Sequence, residues 1–513
     1  MKLWIVFVCG LVCSGGVAQT LPVTLNQPDD GYRGIWYFIG PLKTEYAYKY
    51  SGGLATYPAN HHPFAVYAPA VQKTFFCYGG ASKETNSTGP APAYRPVRTF
   101  RDTAGTPVRF RPSLLHEVGY FDHRTGQVSR PTIVLDKGTD DAHDNPVLNI
   151  DGRGYIWLFS TSHGTDRPSL IHRSRQPYDI TAFDRVMATR TSGDSTVPFD
   201  NFSYLQSHYQ PGRGFLHLMT HYERGMLKYG ATKARRTIGY LTSPDGIRWS
   251  PLRDIATIEE GHYQTSHQQG AKVGTAFNLH PDTKQGAGLD YRTNLYYVET
   301  PDFGRTWRTA DGKPAALPLR EPQNSALVKD YHLLGFNVYI SDVAHDRQGR
   351  PVILYITSKG PDPGPANGPY TWHVARWTGK VWAIHTVTTS DHNYDMGSLY
   401  CEADGTWRII GPTGTGPQAY NTGGELCVWT SRDNGQHWQA ESPLTRNSPR
   451  NHSYPRRPVN VQAGFYTFWA DGHGREPSAS SLYFSTKAGA VFRLPGEMRG
   501  PFAKPERIKQ TDK

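Results

Sequence analysis

The sequence predicts an all-β protein made of repeated antiparallel sheets, and three observations predict it. Glycine and proline are abundant, 52 and 39 in 513 residues, beside 12 tryptophans and 31 tyrosines. Apolar residues fall in short runs bounded by turn residues, with few long segments of helical period. Turn-and-strand units also recur along the chain.

The first kind of unit is a turn leading into a dense apolar run. It occurs as "DGRGYIWLFS" from Asp151, "GRGFLHLMT" from Gly212, "DRQGRPVILYITS" from Asp346 and "DGTWRIIGPT" from Asp404. Each reads as a buried inner strand after a tight turn. The second kind is a degenerate Asp-box, S/T-x-D-x-G-x-x-W: "TSPDGIRW" from Thr242, "TPDFGRTW" from Thr300 and "TSRDNGQHW" from Thr430. Its Asp and Gly fix a tight turn between antiparallel strands, and its Trp packs between sheets. Together the units predict four-stranded blades repeated around an axis, a β-propeller. Seven such blades would take roughly 70 residues each, more than compact repeats need, so long loops are expected on the rims.

At the N-terminus, Lys2 and the apolar run Leu3–Val12 read as an export signal, with Gly16 and Ala18 placed for cleavage after Ala18. The run is shorter than the ~20 apolar residues a membrane span needs. A lipoprotein signal at Cys13 is disfavoured, because Val12 stands where a small residue is wanted. The expected organisation is a signal peptide at 1–18, one propeller at 19–500 and a charged, frayed tail at 501–513, in a secreted or periplasmic protein. Of the five cysteines, Cys77, Cys401 and Cys427 follow the signal. Their odd number and spacing predict buried thiols and no zinc site, with a single Cys401–Cys427 bridge left open. The net charge is +11, or +10 without Lys2 (11 − 1). That balance suits an acidic partner, and the scattered basic residues carry no nucleic-acid module.

Propeller sites form where loops from distant segments converge on the axis, so polar groups beside strand ends are the candidates. His143, in "DDAHDNP", precedes an inner strand, and its acidic neighbours predict a raised pKa suited to proton transfer. His123, in "YFDHRTG", stands twenty residues earlier, a spacing expected to bring both histidines to one rim. His61 and His62 precede a Pro-led strand and, being adjacent, point to opposite faces. Tyr204, His221 and Tyr263 are further polar groups beside apolar runs, and for each tyrosine rim packing is the commoner role on sequence alone. Arg292, Arg456 and Arg457 lie in or beside strands, where an arginine either pairs with a core acid or presents a fork to a carboxylate. Asp290, two residues from Arg292 and on the same face at period two, supports the first option there, and the two readings stay evenly balanced. Paired glycosidase carboxylates are not obvious, with Glu259, Glu260 and Glu321 as candidates in no special context, and phosphate loops and a G-x-S-x-G elbow are absent.

The segments "GYRGIWY", "SGGLATYPANHHPFAVYAP", "DAHDNPVLNIDGRGYIWLF", "KVGTAFNLHP", "DYRTNLYYVETPDFGRTW", "TTSDHNYDMGSLY" and "NTGGELCVWTSRDNGQHW" together resemble the BNR-4 group of secreted seven-bladed propellers. The resemblance runs from about Gly31 to Leu494. The group holds the ulvan lyases of polysaccharide lyase families 24 and 25. It also holds the L-rhamnose-α-1,4-D-glucuronate lyases of family 42, first described as α-L-rhamnosidases of glycoside hydrolase family 145. The chain is most similar to the last branch. The resemblance implies an acidic plant or algal glycan as substrate, and β-elimination in which a histidine pair and a tyrosine move protons while an arginine neutralises the uronate carboxylate. It implies His123 and His143 as the pair, Tyr204 as the tyrosine, Tyr263 as a substrate contact and no cofactor for the chemistry, with calcium in the central channel as a structural option. The chain departs from ulvan lyases in having His221, with Arg224 three residues on, where they place the neutralising arginine. Their zinc ligands are also not evident around His280 to Tyr291. Arg292, Arg456 or Arg457 would then neutralise. The family 145 proposal implies His61 or His62 as a lone catalytic histidine on the opposite face. A glycan-binding propeller without activity is the non-enzymatic alternative, and a sialidase lacks its arginine motif and nucleophile.

Overall fold

The computed structural model describes residues 23–54, 58–81, 99–101, 107–109, 114–164, 167–222, 236–282 and 290–509. The expected signal peptide, Arg224 and residues 510–513 lie outside them.

The described chain is all-β, with only short 3-10 turns besides its strands. Five antiparallel sheets have four strands each, one has five and one has seven. Their innermost strands follow in chain order: Ala65–Ala68, Pro146–Ile150, Ser203–Gln210, Gln264–Gln269, Asn337–His345, Ser398–Cys401 and Asn451–Arg456. Asn337–His345 and Asn451–Arg456 are buried along their whole length, and the other five are buried over most of their residues or at their starting halves.

Successive sheets are joined face to face by apolar clusters. Trp157 and Phe159 of the second sheet pack with Phe215 of the third and with Trp249 of a small three-stranded sheet, and Tyr240 of the third packs with Phe277 and Tyr296 of the fourth. The seventh sheet returns to the first through Phe465, Phe468 and Phe484 against Phe76 and Phe121. Stacked sheets of this kind bury aromatic area at about 25 cal/mol per Å2, which makes these clusters the main cohesive term. Strands near both ends of the described residues join the first sheet: Thr24–Pro28 pairs with Thr132–Asp136, and Phe502–Ala503 pairs with Gln127–Ser129. The segment read as a frayed tail is therefore hydrogen-bonded to a sheet edge at Phe502–Ala503, and Glu506–Arg507 extends the seventh sheet.

The Asp-box turns form as read. Asp245 Oδ1 accepts from Ile247 N and Arg248 N at 2.9 and 2.8 Å, Gly246 takes φ +75°, and Trp249 Nε1 donates to Gly246 O at 3.1 Å. Asp302 with Gly304, and Asp433 with Gly435 and Trp438, repeat parts of this pattern. Cys77, Cys401 and Cys427 are free thiols. No helix among the described residues is long and apolar enough to cross a membrane.

Candidate active site

The starts of the innermost strands gather one set of polar side chains, and their far ends gather another. At the starting end, Asp141 caps the turn Ala142–Asp144 by accepting from His143 N. The same carboxylate oxygen meets His143 Nδ1 at 2.5 Å. That bond holds the proton on Nδ1 and makes Nε2 the lone-pair nitrogen of a neutral ring. His163 stacks on His143, with ring centroids 3.9 Å apart and 11° between planes, and its Nδ1 lies 3.5 Å from the other Asp141 oxygen. Arg167 holds the base of the loop, with Nε 2.7 Å from Asp144 Oδ2 and Nη2 3.2 Å from Asp141 Oδ2.

Tyr204 stands edge-on to His143 at 5.6 Å and lies 5.5 Å from His61. A bulge between Ser203 and Gln206 breaks the strand register, and Tyr204 takes φ +47° there. A tyrosine in the left-handed region is rare, and strain of this kind persists where the surroundings hold it. The Tyr204 hydroxyl is 3.2 Å from that of Tyr263. Arg236 Nη1 donates to the Tyr263 hydroxyl at 2.7 Å. The Arg292 guanidinium lies 4.7 Å from the Tyr263 ring and within 5.4 Å of those of Tyr339 and Tyr394. Tyr222, next to Arg236, has its ring 6.1 Å from His163.

Burial pulls the His143 pKa down to about 4, and the charge of His163 adds to this against the opposing pull of Asp141. The raised value expected from its acidic neighbours is thus reversed, because desolvation outweighs one buried carboxylate. Burial alone would raise the Asp141 carboxyl, but His143 and His163 hold it well below its ordinary range. Burial and His143 bring His61 to about 3, and neither of its ring nitrogens has a hydrogen-bond partner among the described residues.

Other expected site residues lie elsewhere. His123 follows strand Leu114–Asp122, whose first residue pairs near Lys137, while His143 follows the return strand Thr132–Asp136. The two histidines therefore sit at opposite ends of one strand pair, and His123 bonds Thr74 at 2.8 Å. Arg456 is buried near the far end, with its guanidinium on the Ser341, Gly397 and Pro455 carbonyls. Arg457 lines a cavity of about 900 Å3 at that end with His62, His208 and His267. His61 and His62 thus diverge, as adjacent strand residues must. His221 reaches the starting end, but it is the next residue, Tyr222, that faces His163. Asp290 pairs with Lys49 rather than Arg292.

Sequence reasoning missed His163, Arg236, Tyr222 and Lys49. One signal was present: His163 also stands twenty residues from His143 (163 − 143).

Asp141, His143 and His163 also bring three ligand atoms within 4.8 Å of one another, as a metal site would. Two nitrogens and one carboxylate do not suit calcium, which takes six to eight oxygens. The guanidinium of Arg167 on the same carboxylate opposes any cation there.

Residues 120–390, more than half the chain, match the family described as BNR repeat-containing. The chain belongs to the BNR repeat-containing family. Within it, the chain is similar to the ulvan lyase PL25 of Pseudoalteromonas sp. (strain PLSV), at 20% identity over 367 residues, 64% of this chain and 70% of that one. An ulvan lyase of Alteromonas sp. (strain LOR) is 22% identical over 267 residues, covering 47% of this chain and 52% of the relative. Among solved structures, a PL25 ulvan lyase superposes with a TM-score of 0.62 at 16% identity, over 91% of this chain and 96% of that one. Polysaccharide lyase Uly1 does so with a TM-score of 0.56 at 11% identity, over 91% and 98%. These likenesses establish a shared fold across nearly the whole described chain.

Proposed function

We propose that the protein is a secreted polysaccharide lyase on a single seven-bladed propeller, cleaving an acidic glycan by β-elimination at a uronate. The series of contacts from Asp141 through His143, Tyr204 and Tyr263 to Arg236 carries this reading. The seven sheets that pack in succession and return to the first support the propeller. The ulvan lyase relatives, one solved with -[GlcA(1-4)Rha3S]-, support the reaction class.

Each group then has a task. Arg236 neutralises the uronate carboxylate, which makes the C5 proton acidic enough to remove. Neutral His143, oriented by Asp141 and backed by His163, takes that proton. The C5–H electron pair forms the C4=C5 double bond as the C4–O4 bond breaks. Tyr204 gives its proton to the departing O4. Arg292 braces Tyr263 from its other face. The preferred substrate is an arabinogalactan-type end in which L-rhamnose caps glucuronate through an α-1,4 bond, so that rhamnose leaves with O4.

The test uses a rhamnose-capped glucuronate glycan such as gum arabic, followed by ultraviolet absorbance of the 4,5-unsaturated uronate. Rhamnose release with that absorbance supports elimination. Unsaturated product from ulvan alone moves the substrate to the ulvan class. Release without absorbance sinks the lyase and favours a second reading, a hydrolytic α-L-rhamnosidase using His62 in the far-end cavity. Binding without release leaves a glycan-binding module.

A further inference from the structure

Lys49 reaches the starting end from outside the segment that matches the family, residues 120–390. It stands in a two-stranded hairpin, Tyr37–Pro41 with Tyr48–Gly52. Three contacts pin this hairpin across the ring. Tyr50 stacks on Tyr394 at 4.3 Å, His392 Nε2 meets Lys49 O at 3.1 Å, and Tyr454 donates to Ser51 O at 3.2 Å. The Lys49 side chain is 7% exposed, an unusual position for an ammonium.

Its neighbours make the placement odder. Burial and nearby Arg292 pull the Lys49 ammonium down to about 8, against the opposing pull of Asp290 and Asp362. His280 is fully buried 4.8 Å from Tyr263, close enough for Arg292, Arg236 and Lys49 to lower its basicity further. Neither of its ring nitrogens has a hydrogen-bond partner among the described residues. An unsatisfied buried imidazole next to gathered cations costs stability and calls for an explanation. Asp290 is the exception to this burial, with its carboxylate on Lys49 and its side chain 50% exposed.

We propose that Lys49, Arg292 and His280 form an anion-binding subsite for a carboxylate or sulfate on the sugar next to the reacting uronate, and that Asp290 occupies it until substrate arrives. Lys49 and Arg292 offer N–H donors alone and neutral His280 adds one more, which suits a tetrahedral or planar oxyanion, and the two cations repel a metal ion. Tyr263 lies between it and the elimination centre, so the subsite takes a neighbouring residue rather than the reacting one. A half-exposed aspartate is displaced more easily than a buried one, because it already exchanges with water. The idea rests on the elimination reading for the identity of the sugar, and its own test does not.

Inorganic sulfate and D-glucuronate are titrated by calorimetry into wild type, Lys49→Met, Lys49→Arg and Asp290→Asn, and KM is measured on the acidic glycan. Expected is binding of at least one probe to wild type, a loss of about tenfold or more in Lys49→Met, near-retention in Lys49→Arg and tighter binding in Asp290→Asn. KM follows the same order while kcat holds. Sulfate binding alone assigns a sulfate ester, and glucuronate alone a carboxylate. If Lys49 and Asp290 form only a structural ion pair, Lys49→Met and Asp290→Asn shift in the same direction, which overturns the proposal. Wild type that binds neither probe also overturns it. A protein that makes no unsaturated product yet shows opposite shifts loses the elimination reading and keeps the subsite.

Discussion

Both ends of the innermost strands are rich in histidine, but the two groups are held differently. At the starting end, His143 and His163 share one carboxylate, and Tyr204, Tyr263 and Arg236 follow within contact. At the far end, His208 bonds Ser266 at 2.8 Å, while His267 and His345 meet nitrogen to nitrogen at 3.0 Å. His345 also meets the Tyr297 hydroxyl at 3.2 Å. Burial pushes His208 and His345 down to about 3. The difference teaches that a buried histidine is common currency in this fold. The far end has a carboxylate too, Glu299, held by Arg308 and the Tyr297 hydroxyl, but it stays 3.9 Å from His345, whereas Asp141 meets the His143 ring nitrogen at 2.5 Å.

The sharpest test of this contrast is a pair of substitutions. His143→Ala is expected to lower kcat by roughly 10²–10⁴-fold, the usual range for a lost general base, while His62→Ala keeps near-wild-type turnover. Initial rates of unsaturated-uronate formation decide it, and the reverse ranking would move the site to the far end. Next in size, Tyr204→Phe removes one hydroxyl and should cut kcat about a hundredfold with the melting temperature little changed. A smaller effect is expected at the arginine. Arg236→Lys keeps the charge but loses the fork and should cost about tenfold in kcat/KM, and Arg236→Ala clearly more.

Acidity separates the two ends in another way. Each of these histidines has a folded pKa below its ordinary 6.5, so acid protonates the unfolded chain first. Their contribution to stability is therefore full above pH 6.5 and is lost as pH falls through about 4 and then 3. Melting temperature should drop across this window, and replacing His208 or His345 by a neutral residue should flatten the drop. Turnover per folded molecule should hold until His143 itself protonates near pH 4. The smallest effect is expected for Arg457→Ala at the far end, under about twofold in kcat/KM, because the guanidinium lies away from the contact series.

How much of this was legible in the sequence depended on the range of the interaction. The Asp-box turns were readable because Asp245, Gly246 and Trp249 satisfy one another within a few residues. His143 and Tyr204 were readable as polar groups standing before apolar runs. His123 was misplaced because a twenty-residue spacing fixes separation along the chain and not which end of a strand pair is reached. The sign of the His143 shift was missed because a sequence displays acidic neighbours but conceals burial. Asp290 and Arg292 fall at the start of strand Thr293–Thr300, where alternation has not begun, so a period of two did not pair them. Arg236 and Lys49 were invisible for a simpler reason: their partners come from segments far away in the chain.

The bulge that aims Tyr204 has a consequence for how such a protein changes over generations. One extra residue in an otherwise regular strand turns a phenol toward His143. Removing that residue would restore ordinary pairing and send the ring to the other side of the sheet. The packing between neighbouring sheets rests on other side chains, among them Trp157 with Phe215 and Phe465 with Phe484. A lineage could thus move this phenol from one face of the sheet to the other by the insertion or deletion of one codon.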